Sequence, residues 1–196
     1  MSIFRHIEGV DMEKVSLGPR PYMTPMPAVL VGSYIKGKPN FMTAAWVGVA
    51  CMEPPMIAIA INKARYTEKG ILENKTFSVN IPGGKNAVET DYCGLVSGSK
   101  VDKSKLFDTF YGKLKTAPLI LDFPVNIECE LRHTLELGSH NLHVGEVVDV
   151  HIAQDCMTSG VPDTDKIDPI VFSGSSYYHI GEVIGKAFSM GKGLKK

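Results

Sequence analysis

Val125-Asn126-Ile127-Glu128-Cys129-Glu130-Leu131-Arg132-His133-Thr134-Leu135-Glu136-Leu137 alternates in character from end to end. Odd positions carry Val125, Ile127, Cys129, Leu131, His133, Leu135 and Leu137, and even positions carry Asn126, Glu128, Glu130, Arg132, Thr134 and Glu136. A period of two sustained this long predicts a β-strand with one buried face. Leu142–Ala153 follows with Leu142, Val144, Val148, Val150 and Ile152 on one parity. The short connection Gly138–Asn141 favours an antiparallel pair.

Upstream the same pattern recurs in shorter runs. Ala28–Ile35 reads as a strand, Gly37-Lys38-Pro39-Asn40 as a turn, and Phe41–Met52 as a return strand, so 28–52 is expected to be a β-hairpin. Glu53-Pro54-Pro55 breaks it, Met56–Ile61 is a short buried strand, and Phe77–Ile81 is another, stopped by Pro82. Three helices are expected: Thr67–Asn74, with Thr67 as N-cap and Ile71 and Leu72 facing inward, then Lys85–Leu95, then Ser104–Phe110. Strands that follow one another with few helices argue against alternating β–α units. The expected fold is mainly β, an antiparallel, Greek-key-like barrel with a few appended helices, because closure removes exposed strand edges.

The chain of 196 residues, with 44% hydrophobic and 21% charged residues, suits one domain over 1–196. Residues 1–20 read as a lead-in to a proline-rich stretch ending at Pro27. Residues 186–196 form a basic, glycine-bearing tail, either flexible or laid across a neighbouring subunit. Lys plus Arg equal Asp plus Glu at 21 each, which argues against a nucleic-acid partner and against a polybasic membrane mode. Apolar runs such as Met56–Ile61 are too short to span a bilayer, and Met1–Glu8 carries charges where a signal peptide needs its apolar stretch. A cytoplasmic location is expected, with Cys51, Cys93, Cys129 and Cys156 as reduced thiols.

Some motifs fail on inspection. Gly32–Lys38 has the letters Gly-x-x-x-x-Gly-Lys, but Pro39 stands where a phosphate-binding loop needs Ser or Thr, and a hairpin turn explains the glycines. No Gly-x-Gly-x-x-Gly follows a strand. His140 and His143 have opposite parity, and His143 and His151 would lie about 26 Å apart at ~3.3 Å per residue. No metal site is expected.

Two segments can carry chemistry. Asn40-Phe41-Met42-Thr43-Ala44-Ala45-Trp46 mixes small residues with an amide, a hydroxyl and the only Trp. It reads as a wall that a flat ligand approaches closely, or equally as an ordinary strand with Trp46 in the core. Asn62-Lys63-Ala64-Arg65-Tyr66-Thr67 leads from a buried strand to a helix N-terminus, where cations, a hydroxyl and unpaired N–H groups suit a phosphate. Its other reading is a solvated loop with Thr67 as a simple cap.

Taken in order, several motifs resemble the flavin reductase-like family, and most closely its flavoredoxin members. They are Asn40–Trp46, Glu53-Pro54-Pro55, Arg65-Tyr66-Thr67, Phe77–Pro82, Cys93–Gly98, Val101-Asp102-Lys103, His140–Val147, and Pro169–Phe172 leading to Tyr177-Tyr178. The resemblance covers roughly residues 20–185 and implies an FMN-binding split β-barrel, usually a homodimer. Carried over, it implies that Asn40, Thr43, Ala44, Ala45 and Trp46 line the flavin ring, and that Cys51 and Asn62 lie along the ligand's path. Arg65, Tyr66 and Thr67 would take the 5′-phosphate. Ser97 and Gly98 would approach the flavin, with Lys103 as a nearby positive charge or, on its other reading, a solvated lysine. His140 and Tyr177 complete the set, with His143 competing for the place of His140. No side chain is assigned proton transfer, because the cofactor carries the redox chemistry. The implied activity is an FMN-dependent oxidoreductase moving electrons from NADH, NADPH or a reduced partner to an acceptor. The alternatives are an electron carrier without nicotinamide turnover and a flavin-binding barrel without redox chemistry.

Overall fold

The computed structural model describes residues 14–194, so the first part of the lead-in and the last two residues of the tail lie outside the described residues. Seven strands carry the fold: β1 (Val29–Ile35), β2 (Lys38–Ala44), β3 (Val47–Cys51), β4 (Met56–Asn62), β5 (Thr76–Ile81), β6 (Val125–Leu137) and β7 (His140–Ile152). Their order in the sheet is β2-β1-β5-β6-β7-β4-β3, and every neighbouring pair is antiparallel. Two helices flank the sheet, α1 (Tyr66–Asn74) and α2 (Ala87–Leu95).

β2 and β3 are the two edges of this sheet, yet only Ala45 and Trp46 separate them in the chain. Seven strands laid flat would put their edges about 29 Å apart at ~4.8 Å per strand. The link from Ala44 to Val47 reaches at most about 11 Å. The sheet therefore curls until its edges meet at that link. No ladder joins β2 to β3, so the barrel is split along this seam. The expected 28–52 hairpin is corrected accordingly. Phe41–Met52 is not one strand but breaks at Ala45-Trp46, the first part pairing with β1 and the second with β4.

The β1–β2 turn settles the glycine motif. Lys36 (φ 49°) and Gly37 (φ 80°) are both left-handed between the paired residues Ile35 and Lys38, as a two-residue hairpin requires. Inside the barrel, Val29, Val31, Ile57, Ile59, Ile61, Phe77 and Val79 pack with Ile71 from α1. Outside it, Leu30, Phe41, Cys93, Phe107, Ile120 and Phe123 form a second cluster. Phe107 meets Phe41 and Phe123 edge-on at centroid distances of 5.4 and 5.5 Å. That insertion accounts for another correction: Ser104–Phe110 is not a helix, and Thr109-Phe110 instead pairs with Leu119-Ile120.

β6 and β7 exist as expected, but their faces differ from the alternation. β6 is covered on both faces over its first half, where Asn126 and Glu128 are buried beside Val125 and Cys129. Beyond Glu130 it leaves β5 and pairs only with β7, so Leu135 and Leu137 are exposed. On β7 the buried parity is Asn141, His143 and Gly145, opposite to the apolar one. α1 starts at Tyr66 with Arg65 as its N-cap, which displaces Thr67 into the first turn, and Leu72 faces solvent while Ile71 is buried. Among the described residues no helix is long and apolar enough to cross a membrane.

Two buried polar side chains of this core, Asn80 and Glu128, are fully engaged by hydrogen-bond partners. The Asn80 amide donates to Leu30 O (3.1 Å) and Ser78 Oγ (2.9 Å), and its carbonyl accepts from Ile120 N (3.1 Å) and Asn126 Nδ2 (2.9 Å). Glu128 accepts backbone N–H bonds from Lys113 (3.1 Å) and Leu114 (2.6 Å), and His151 Nε2 lies 2.8 Å from its Oε1. Replacing Asn80 by Leu leaves these partners buried without a match. Asn80→Leu is expected to lower stability by about 3 kcal/mol, read as an earlier denaturant midpoint.

Candidate functional site

The seam opens into a cavity of about 530 Å³. Its floor is the end of β2 and the edge link: Thr43, Ala44, Ala45 and Trp46. β4 alternates strictly, sending Ile57, Ile59 and Ile61 into the core and leaving Ala58, Ala60 and Asn62 on its outer face. Ala60 and Asn62 line the cavity, and their small or short side chains leave it open. Asn62 pairs in register with His140 of β7, which brings both to the same rim. Trp46 is 41% exposed, and its ring packs against His140 at 4.7 Å and 33°. It is therefore a wall of the cavity and not a core residue.

The opposite end gathers hydrogen-bond donors and a cation. Asn62 Oδ1 accepts from Ala64 N (2.9 Å), and Asn62 O accepts from Arg65 N (2.9 Å), a tight turn that launches α1 toward the cavity. No side chain caps the start of α1, so N–H groups of its first turn remain free beside Arg65, Tyr66 and Thr67. Thr67 is buried. Its Oγ1 accepts from Asn40 Nδ2 (2.8 Å), and its carbonyl accepts from Ser33 Oγ (3.2 Å). With its lone pair engaged, the Thr67 hydroxyl still has a hydrogen to donate.

The third wall comes from the end of α2 and the loop after it: Cys93, Val96, Ser97, Gly98 and Lys103. Thr43 Oγ1 donates to Thr90 O and fixes α2 against β2. Lys103 is only 4% exposed, so it is not a solvated lysine. Its Nζ donates to Phe41 O (2.9 Å) and Cys93 O (2.8 Å), which leaves its third N–H uncommitted. Burial holds the Lys103 pKa below the ordinary lysine value; a thiolate at Cys93 would oppose that shift, and the charge of Arg65 adds to it. Burial pushes the Cys93 thiol up to about 11, so it stays protonated at neutral pH.

Most of the expected site residues meet here, and three do not. Thr43, Ala44, Ala45, Trp46, Asn62, Arg65, Tyr66, Thr67, Ser97, Gly98, Lys103 and His140 all line the cavity. Asn40 stands behind it, holding Thr67, and borders a smaller cavity with Lys36, Lys38 and Lys100. Cys51 lies at the far end of β3, its Sγ 3.4 Å from Glu53 O. Tyr177 donates to Asp91 Oδ1 (3.1 Å) on the exposed side of α2. Parity sends the two histidines in opposite directions. His140 faces the cavity, and His143 is turned into the core against Glu68. Met42, Ala60, Ala64, Cys93 and Val96 line the cavity without having been singled out. The outer parity of β4 could have found Ala60.

A shallow apolar groove of about 540 Å³ lies on the other side of Trp46, walled by Tyr22, Met23, Met26, Ala60 and Leu142. Among the described residues, Glu128, Asp149 and His151 bring possible metal ligands within 4.8 Å. Lys113 already pairs with Asp149 (3.1 Å), and Glu128 already accepts from two backbone N–H groups.

A split antiparallel barrel with a cavity at its seam and an uncapped helix start at one end of that cavity defines a ligand-binding barrel. The family model described as flavin reductase like domain matches residues 22–181, and the chain belongs to that family. The crystal structure of flavoredoxin from Methanosarcina acetivorans is 42% identical, covering 94% of this chain and 100% of that one, with a TM-score of 0.91. Flavoredoxin of Desulfovibrio vulgaris (Miyazaki F) is 39% identical, covering 92% and 100%, with a TM-score of 0.85. An uncharacterized protein of Archaeoglobus fulgidus is 34% identical over 144 residues, 72% of this chain and 80% of the relative.

Gly98 is wedged into this site. A Cβ there would collide with Asn40 Oδ1 and come within 2.9 Å of Tyr66 Cδ1. Gly98→Ala is expected to cost about 2 kcal/mol of stability. It should also displace Asn40 from Thr67, which thermal melting and a crystal structure of the variant would read.

Proposed function

We propose that this protein binds FMN in the seam cavity and works as an FMN-dependent oxidoreductase of the flavin reductase-like kind. The observation that carries the reading is the uncapped start of α1, with Arg65 and the Thr67 hydroxyl beside it, at one end of a cavity floored by small residues. A 5′-phosphate fits that end, because free N–H groups, a guanidinium and a hydroxyl donor converge on it. Thr43, Ala44, Ala45 and Ala60 leave room for a ring system, and Trp46 with His140 bounds it on one side. Bound FMN supplies the electron acceptor and donor that no side chain of the cavity provides. The protein's own part is to hold and orient it, and to place the Lys103 ammonium where it favours negative charge. NADH, NADPH or a reduced partner is the electron source in this reading, and the groove beyond Trp46 gives such a reactant access.

An electron carrier of flavoredoxin type is the second reading, favoured by the two flavoredoxin structures that match nearly the whole chain. Saturable oxidation of NADH or NADPH by the FMN-loaded protein supports the enzyme. A reducible bound flavin with no nicotinamide turnover supports the carrier. A homodimer belongs to both readings. Leu135, Leu137, Val49, Ile184 and Phe188 are exposed apolar side chains that such an interface would cover. A single domain in the cytoplasm completes the proposal.

The first test is the visible spectrum of the purified protein before and after FMN. Flavin bands that stay with the protein through gel filtration are expected, and a colourless protein that ignores FMN overturns the reading. Lys103→Met gives a second test. Removing the ammonium disfavours the negatively charged reduced flavin, so the two-electron potential should fall by about 30 mV for each ~1.4 kcal/mol of lost interaction. Potentiometry that finds the potential unchanged removes Lys103 from the site.

A further inference from the structure

Glu68 follows Thr67 directly, yet it faces away from the cavity. Its carboxylate is buried under the first turn of α1. Oε1 accepts from Asn141 Nδ2 (2.6 Å), and Oε2 lies 2.8 Å from His143 Nε2. The imidazole is fully enclosed, and its Nδ1 lies 3.0 Å from Thr134 Oγ1. One arrangement of protons serves every partner: the Thr134 hydroxyl donates to Nδ1, while Nε2–H and the Asn141 amide donate to the carboxylate.

This cluster is a poor way to gain stability. A carboxylate buried with polar partners often gains nothing over apolar side chains of the same volume. Asn141 also keeps a buried Oδ1 with no hydrogen-bond partner, a cost that a leucine would avoid. What the cluster supplies is direction. Apolar packing lets a helix rotate and slide by small amounts, whereas two charge-assisted hydrogen bonds fix its angle. The fixing is two-sided. Thr67 is tied to β2 through Asn40, and Glu68 is tied to β7 through Asn141 and His143. β1, β5 and β6 lie between those strands in the sheet, so the first turn of α1 is clamped from opposite sides of the barrel.

We propose that Glu68 and His143 are positioning residues for the anion site. They set the rotation of the first turn of α1, so that its free N–H groups and the Thr67 hydroxyl face the cavity, and they thereby set the preference for a phosphorylated flavin over an unphosphorylated one. The inference rests on the flavin reading above and deepens it.

The test measures FMN and riboflavin dissociation constants on the full chain, for the native protein and for Glu68→Gln, His143→Gln and Thr134→Val. The native protein should bind FMN more tightly than riboflavin. Glu68→Gln and His143→Gln should cut that preference about tenfold while riboflavin affinity moves less than about twofold. Thr134→Val, which removes only the outermost bond, should act in the same direction and more weakly. It carries the test if the buried variants fail to fold. If both flavins weaken by the same factor, or the preference is unchanged while only the melting temperature falls, the cluster is structural and the proposal is wrong. If the native protein binds flavin with no preference for FMN, the anion site itself is wrong and the proposal falls with it.

Discussion

The two-residue link Ala45-Trp46 is the constraint on which the rest depends. It joins the outermost strands of a seven-stranded sheet, so the sheet must curl until they meet. Because β2 and β3 form no ladder, the curl ends in a seam, and the seam is where a cavity can open. The side chains at that point line the cavity. Two alanines and a threonine keep the floor low, and Trp46, unable to enter a filled barrel, turns outward onto His140.

The cavity joins two kinds of wall. The α1 end is held by buried hydrogen bonds from three strands: Ser33 on β1, Asn40 on β2, and Asn141 with His143 on β7. Such contacts tolerate little displacement, since each unmatched partner would remain buried. The Trp46 end is held by a single backbone hydrogen bond, Ala60 N to Trp46 O (2.9 Å), and by ring packing on His140, and it opens onto the groove with Tyr22 and Met23, both exposed. A rigid polar end suits a permanently placed group. An open apolar end suits a reactant that comes and goes.

Much of this was legible in the sequence, for reasons that differ by element. β6 was found because alternation over its whole length leaves no other periodicity to compete, and β7 because five apolar residues share one parity after a short connection. Their faces were misjudged because the barrel covers both sides of the first half of β6 and neither side of its last turns. Polar Asn126 and Glu128 could be buried only because Asn80, Lys113 and Leu114 supply partners, and those lie far along the chain. The split of Phe41–Met52 was hidden for a related reason. Ala45 and Trp46 fit a strand as well as a bend, and only the sheet order shows that they must bend. In the site, Arg65-Tyr66-Thr67 was legible as a helix start beside a cation. Cys51 and Tyr177 rested on resemblance without local chemistry, and neither reaches the cavity.

Lys103 shows why a short motif can identify a residue without giving its setting. Lys100, Lys103 and Lys105 are alike in sequence, and a solvated reading suits all three. Asp102 separates Lys103 from its neighbours by pairing with Lys38 (2.7 Å) and accepting from Ser104 N (2.9 Å), which anchors the loop to the start of β2. With the loop pinned there, the next side chain is directed inward, where Phe41 O and Cys93 O receive it. Those two carbonyls belong to β2, which floors the cavity, and to α2, which walls one side of it. One buried ammonium therefore ties that wall to the floor and keeps a free N–H. Burial weakens its hold on the proton, and two carbonyl acceptors restore part of what water would have given. A buried amine held in this way is already oriented before any negative charge arrives beside it. Orientation of that kind, more than the charge itself, sets a buried lysine apart from a solvated one.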